Sequence, residues 1–497
     1  MSFYSTRGGA CVTASQAILW GLAKDGGLYV PSMFPLLPED RIFGFCDLSY
    51  QSIAERILSA FLEDYSKAEI REAVQAAYSP ENFDDPAIVP LKSLDDRVQV
   101  MELFHGPTLA FKDIALKLLP YLIRMAAKKN EETREISIMV ATSGDTGKAA
   151  LEGFRDVDGT SCTVFYPHEG VSEMQRLQMV TTEGNNTHVI GVKGNFDDAQ
   201  TGVKTLFGSA EFHEKMNALH KLPSSANSIN FGRLVPQVVY YFSCYAQLVC
   251  SGKLRMGQPL NFVVPTGNFG DILAGYYAKR MGLPIGKLIC ASNRNNVLSD
   301  FFRDGVYYTH RTFFKTMSPS MDILISSNLE RLLYESADRD PKVVSEWMRS
   351  LKESGSFSIG AQRLSALQQT FAAGFADDTM TAQEIRRVYE QTGYLMDPHT
   401  AVASYVQREY GLQTGDFSQT VILATASPYK FAPEVLAALQ GSEAVQGLDA
   451  FQCAQKLQEM TGVPIPKQIS ALKSMPERHH TVCEIGEMQE TMLNDFM

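Results

Sequence analysis

The chain reads as an α/β protein built on parallel sheets. Short apolar runs alternate with helical periodicity over most of its length, and several of those runs end in glycine- or hydroxyl-rich loops that lead into helices. Composition agrees: at 497 residues, with 45% hydrophobic and 20% charged side chains, the chain can build two or three domains with sizeable cores and has the balance of a soluble globular protein.

Taken in order, the first segment is mixed and carries its own helices, expected over Tyr50–Leu62 and Lys67–Tyr78. Ser79-Pro80-Glu81-Asn82-Phe83-Asp84-Asp85-Pro86 breaks helical periodicity and reads as a linker. Buried strands are then expected at Ile136–Ala141, Cys162–Tyr166, His188–Val192, Asn261–Val264, Leu288–Ala291 and Val421–Thr425, with helical stretches between them. From about residue 444 the pattern turns helix-rich, with a Pro464-Ile465-Pro466 break and no chemistry. The expected division is an N-terminal mixed domain over 1–88, a core of two α/β subdomains over 89–440 and a helical extension over 441–497. Ligands of such folds sit beyond the carboxyl ends of the strands, which singles out the loops after Ala141, Val264 and Ala424.

A net charge of −11 disfavours nucleic acid as the main partner but not a small anion, because local groups can override it. The opening residues lack a secretory h-region, and no apolar run is long enough to span a membrane. Eight cysteines without a Cys-x-x-Cys pair and nine scattered histidines offer no metal pattern and fit thiols in a reducing cytoplasm.

Lys112 stands in Phe104-His105-Gly106-Pro107-Thr108-Leu109-Ala110-Phe111-Lys112-Asp113. Aromatic and small apolar neighbours desolvate an amine, lower its pKa and free it for Schiff-base chemistry with a carbonyl. Alone, the run also fits a lysine snorkelling out of a helix start. Thr266-Gly267-Asn268-Phe269-Gly270-Asp271 can turn backbone N–H groups and a helix N-terminus toward an anion, or can simply be a strand-to-helix turn. Thr142-Ser143-Gly144-Asp145-Thr146-Gly147-Lys148 fails as a P-loop, since Thr142 occupies the first glycine position and Ala149 replaces the magnesium-binding hydroxyl. What remains suits carboxylate or phosphate through Ser143 and Thr146, or an N-cap made by Ser143 or Asp145. Thr425 places a hydroxyl at a strand end, and Arg233, shortly after Asn230, precedes a long helical pattern reaching Cys250.

Together these motifs resemble the threonine synthase family, pyridoxal-phosphate enzymes of fold type II, the tryptophan-synthase-β type. The resemblance runs from residue 4 to about 431. It rests on Tyr4–Gly8, Asp25–Pro31, His105–Asp113, Ala141–Gly147, Asn195–Asp198, Asn227–Arg233, Gly267–Asp271 and Met396–Ala401. It implies that pyridoxal 5'-phosphate is held by Lys112 through a Schiff base, by Gly267, Asn268, Phe269, Gly270 and Asp271 around its phosphate, and by Thr425 facing its pyridine nitrogen. It further implies that Ser143, Asp145, Thr146, Asn230 and Arg233 bind O-phospho-L-homoserine, which is converted with water to L-threonine and phosphate. A cytoplasmic monomer or homodimer is expected, with no metal. One departure stands out: Ala426-Ser427-Pro428-Tyr429-Lys430-Phe431 replaces the family's His-Pro-Ala-Lys-Phe run, leaving the polar contact of that histidine in doubt. Two other functions fit the same residues: a related phospho-lyase releasing 2-oxobutyrate and phosphate, and a cofactor-binding protein without turnover.

Overall fold

The apolar runs form the strands of two separate parallel sheets. The computed structural model describes residues 1–142 and 144–496. In the larger sheet the order is Phe371–Phe375, Ile285–Ser292, Leu260–Pro265, Thr420–Ala424, Val98–Glu102 and Leu91–Ser93. Only the last strand runs antiparallel to its neighbour. The second sheet is parallel throughout, in the order Val482–Glu484, Thr187–Lys193, Thr160–Pro167, Glu135–Ala141 and Lys221–Ser224. Parallel strands need crossovers, and helices supply them, so central strands such as Thr160–Pro167 and Leu260–Pro265 are buried along their whole length, while edge strands such as Phe371–Phe375 and Val482–Glu484 are partly exposed.

The six expected strands are all present, with no end moved by more than three residues; the last stops at Ala424, so Thr425 stands just past it. Val98–Glu102 lies beside it in the larger sheet and was not anticipated. It carries Gln99 and Glu102 yet is buried at every position. Its Glu102 is satisfied by His105 Nε2 at 3.0 Å and by the Tyr394 hydroxyl at 3.0 Å, which is how a carboxylate persists in a buried strand.

The N-terminal segment forms the helices Tyr50–Phe61 and Lys67–Ala77. Ser49 caps the first, accepting from Ser52 N, and Ser66 with Glu69 makes a capping box on the second. Their apolar faces join the main core together with Phe231–Cys250, a helix buried on nearly every side. The C-terminal segment is helical, as Ala450–Thr461 illustrates, and covers a second core made by Met396, Tyr429, Phe431, Leu436 and Leu457. It also contributes the edge strand Val482–Glu484 to the second sheet, beyond the expected helices. Among the described residues no helix is long and apolar enough to cross a membrane.

Candidate active site

The loop carrying Lys112 is fastened to the end of the strand Thr420–Ala424. Phe111 N donates to Thr425 O at 2.9 Å, Ser427 N donates to Leu109 O at 3.1 Å, and Ala110 bridges to Ala426. These bonds bring Lys112 and Thr425 to one carboxyl edge although 313 residues of chain separate them. Asp113 braces the loop from below, accepting from Thr108 N at 2.8 Å and from Thr108 Oγ1 at 2.6 Å. Burial pushes the Asp113 carboxyl up to about 6 against those bonds. Burial also lowers the Lys112 amine, and Lys430 and Arg233 lower it further, outweighing the pull of Asp145.

The glycine loop follows Leu260–Pro265. Ser326 Oγ donates to Gly267 O at 2.7 Å, and Asn328 N donates to Asn268 O at 3.0 Å. Because the peptides are trans and planar, clamping those carbonyls turns the N–H groups of Asn268 and Phe269 the opposite way. Phe269 holds the turn at φ +64°, a conformation costing a non-glycine residue about 1–2 kcal/mol. Its ring is 1% exposed and packs on Phe302 and Phe371, a burial worth about 1.5–3 kcal/mol, which is enough to hold the turn. Asp271 follows in the first helical turn; its Oδ1 accepts from the Tyr240 and Tyr241 hydroxyls, and burial raises the carboxyl to about 7.

Gly267 is needed for a reason the sequence did not suggest: an added Cβ would stand 2.8 Å from Ser320 O. At Gly270 the nearest atom would be Asn328 Nδ2 at 3.5 Å, an ordinary contact. Gly267→Ala is therefore expected to weaken cofactor affinity about tenfold or more by displacing the loop, and Gly270→Ala to leave it within about threefold. Titration of the cofactor into the apoprotein measures both, and equal affinities would remove steric control at Gly267.

On the facing side, Asp145 opens the helix Asp145–Phe154. No side chain of Asp145 caps it. Thr142 Oγ1 does that work, accepting from Gly144 N at 3.0 Å and Gly147 N at 2.9 Å. The Asp145 carboxylate instead receives Lys430 Nζ at 2.8 Å, Ser320 Oγ at 3.2 Å and Gln175 Nε2 at 3.4 Å, with Lys112 Nζ at 3.7 Å. Burial alone would raise this carboxyl; Lys430 and Lys112 outweigh it and hold it well below the usual carboxylate range. Thr146, on the next position, is half-buried. Ser143 lies outside the described residues.

Arg233 sits inside the helix Phe231–Cys250, not ahead of it, and is 3% exposed. One of its nitrogens donates to Ala226 O at 2.7 Å, and burial lowers the guanidinium to about 10. Asn230 caps that helix: Oδ1 accepts from Gly232 N at 2.8 Å, and Nδ2 donates to Ile18 O at 2.9 Å. Its side chain is thus spent on architecture.

Three participants were missed by sequence reasoning. Lys430 is fully buried at the centre of the site. His399 Nδ1 lies 2.7 Å from Asp397 Oδ1, and its Nε2 accepts from Ser320 N at 3.2 Å. Ser320 itself lies between the glycine loop and Asp145, its carbonyl oxygen crowding Gly267 and its hydroxyl donating to Asp145. Lys430 and His399 lay within runs already singled out; nothing marked Ser320.

A family profile described as threonine synthase N terminus matches residues 2–78, one described as pyridoxal-phosphate dependent enzyme matches 86–425, and one described as threonine synthase, C-terminal matches 400–491. The threonine synthase of Pseudomonas aeruginosa is 41% identical over 442 residues, covering 88% of this chain and 90% of its own. The chain belongs to the threonine synthase family. The threonine synthase of Schizosaccharomyces pombe is 39% identical over 469 residues, covering 88% of this chain and 89% of its own. A crystal structure of PLP-bound threonine synthase from Brucella melitensis superposes with a TM-score of 0.88 at 39% identity, covering 100% of this chain and 99% of that one.

The residues present fit the pyridoxal phosphate of this family. Besides a buried amine with a lowered pKa and a loop whose amides turn away from its clamped carbonyls, two buried polar atoms, Arg233 Nε and Asp271 Oδ2, have no protein hydrogen-bond partner among the described residues. Of these, the Arg233 Nε–H is a donor that an anionic oxygen can match.

Proposed function

We propose that this chain converts O-phospho-L-homoserine and water to L-threonine and phosphate, the last step of threonine biosynthesis. The observation that carries the reading is the grouping of three buried basic side chains, Lys112, Lys430 and Arg233, at the strand ends of a threonine synthase frame, with Asp145 the one carboxylate among the described residues within ion-pair reach of Lys112. A substrate bearing a carboxylate and a phosphate offers an anionic partner to Arg233, whose Nε has none from the protein among the described residues.

When bound, pyridoxal phosphate supplies an electron sink for the bond broken at the substrate's Cα. Lys112 Nζ would hold the cofactor, and its free amine would carry protons to and from Cα and Cβ. The N–H groups of Asn268 and Phe269, with Gly267, Gly270 and Asp271, would hold the cofactor phosphate, and Thr425 would offer a neutral hydroxyl to the pyridine nitrogen. Arg233, with Thr146 and Ser143, would orient the substrate's anionic groups and stabilise the leaving phosphate. Asn230 contributes by capping the helix that carries Arg233. The reading assigns residues 1–88 to an N-terminal domain, 89–440 to the catalytic core and 441–497 to a helical extension, with a cytoplasmic monomer or homodimer as the working form.

Product analysis tests it. Purified protein given O-phospho-L-homoserine is expected to release threonine and phosphate in equal amounts. Phosphate with 2-oxobutyrate and no threonine would establish the phospho-lyase, and no turnover the binding protein.

A further inference from the structure

Lys430 lies in the turn Pro428–Phe431, immediately after the strand end that anchors the Lys112 loop. Its amine is fully buried and makes two bonds of 2.8 Å, one to Asp145 Oδ1 and one to Thr108 O. Thr108 is the residue that fixes Asp113 beneath the loop, so one ammonium ties together the turn, the loop and the start of the helix Asp145–Phe154.

The charge count around Lys112 makes this bond consequential. The charged groups facing the Lys112 amine are Asp145 from one helix, Lys430 from the turn, Arg233 from the long buried helix, Asp113 from its own helix and Asp271 from the helix after the glycine loop. Among the described residues only Asp145 comes within ion-pair reach of Lys112, at 3.7 Å. Asp145 is held instead at 2.8 Å by Lys430, while Ser320 and Gln175 take further lone pairs. A buried carboxylate stripped of Lys430 would fall upon Lys112 and stabilise its protonated form, which is no nucleophile.

We infer that Lys430 is a positioning residue for the reaction: by keeping Asp145 in a wholly buried ion pair, it prevents that carboxylate from locking the Lys112 nitrogen in its protonated state, and through Thr108 it fixes the loop that presents Lys112. The inference rests on the reading that Lys112 carries the cofactor.

A four-cornered titration tests it. Full-length wild-type, Lys430→Met, Asp145→Asn and the double variant are purified with cofactor bound, and the absorbance of the bound cofactor is followed from about pH 6 to about pH 10. Lys430→Met is expected to raise the midpoint by about one pH unit or more, because the freed Asp145 charge stabilises a proton on the Lys112 nitrogen. Asp145→Asn should lower the midpoint, since Lys430 is then an unpaired cation nearby, and the double variant should return close to wild type. Lys430→Arg, which keeps the charge, should stay within a few tenths of a unit of wild type, a rescue that a purely steric role would not produce.

Shifts in the same direction for Lys430→Met and Asp145→Asn would overturn the inference, as would an unmoved midpoint in Lys430→Met or one in Lys430→Arg as far displaced as in Lys430→Met. Should Lys430→Met yield no loaded protein, labelling of Lys112 by a small aldehyde in the same full-length chain, quantified by peptide mass spectrometry against pH, reads the amine directly with the same expected upward shift. If wild-type protein forms no adduct at Lys112, the reading beneath fails and this inference with it; a Lys112 adduct with no Lys430 dependence sinks this inference alone.

Discussion

Lys112→Ala is expected to abolish the visible absorbance of the lysine-bound cofactor and to reduce turnover by roughly 10³-fold or more, because the variant loses both the covalent anchor and the base. The fold should survive the change. Asp145 keeps its 2.8 Å bond to Lys430 when Lys112 is removed, so no buried carboxylate is left unpaired. The bracing of the loop by Thr108 and Asp113, and its bonds to Thr425 and Ser427, do not involve the Lys112 side chain. Borohydride reduction followed by peptide mass spectrometry should place the adduct at Lys112 in the wild type and nowhere in the variant. A variant that keeps a reducible adduct and its activity would refute the assignment.

The second large effect concerns the phosphate of the substrate. Arg233 is 3% exposed, its Nε has no protein partner among the described residues, and its guanidinium, even lowered to about 10, remains charged at neutral pH. A buried cation with an unmatched donor costs several kcal/mol, which an anionic ligand can offset. Homoserine, lacking the phosphate, leaves these groups unpaired in the site. The ratio of kcat/KM for O-phospho-L-homoserine over homoserine is expected to reach about 10⁴ or more, by analogy with other sites built around a buried polar group. Arg233→Met should cut that ratio by about 10²–10³, the loss of one desolvated charge partner of roughly 2–5 kcal/mol. Comparable turnover of homoserine by the wild type, or an unchanged ratio in Arg233→Met, would remove Arg233 from phosphate recognition.

What could be read from sequence followed from local signals. Continuous apolar runs such as Ile136–Ala141 announced strands because every one of their residues is buried. Val98–Glu102 escaped because Gln99 and Glu102 interrupt its apolar run; Ser93, Asp95 and His105 match their polar groups from nearby in sequence, but Lys253 and Tyr394 do so from far away. Lys112 was legible because its apolar neighbours adjoin it in the chain. Lys430 was quoted in a motif yet given no role, since its partners, Asp145 and Thr108, lie about three hundred residues away. The cap on the helix Asp145–Phe154 was expected from Ser143 or Asp145; Ser143 lies outside the described residues, and Asp145 is drawn off by Lys430 while Thr142 accepts from Gly144 N and Gly147 N. Gly267 was expected to matter through its approach to a phosphate; the close neighbour in the structure is Ser320, which no local pattern could foretell.

The fastening of the Lys112 loop to the strand end has a consequence in time. Val98–Glu102 finds its parallel neighbour in Thr420–Ala424, and Thr108 finds the Lys430 ammonium 322 residues downstream. At a synthesis rate of about 5–20 residues per second, the amino-terminal half of this site waits on the order of tens of seconds for the segment that completes it. Throughout that interval the buried edge of Val98–Glu102 stands without its parallel neighbour, open to pairing with other nascent chains. Completion of the site is therefore a late event in the making of the chain, and the yield of active protein will depend on what shields this edge during synthesis.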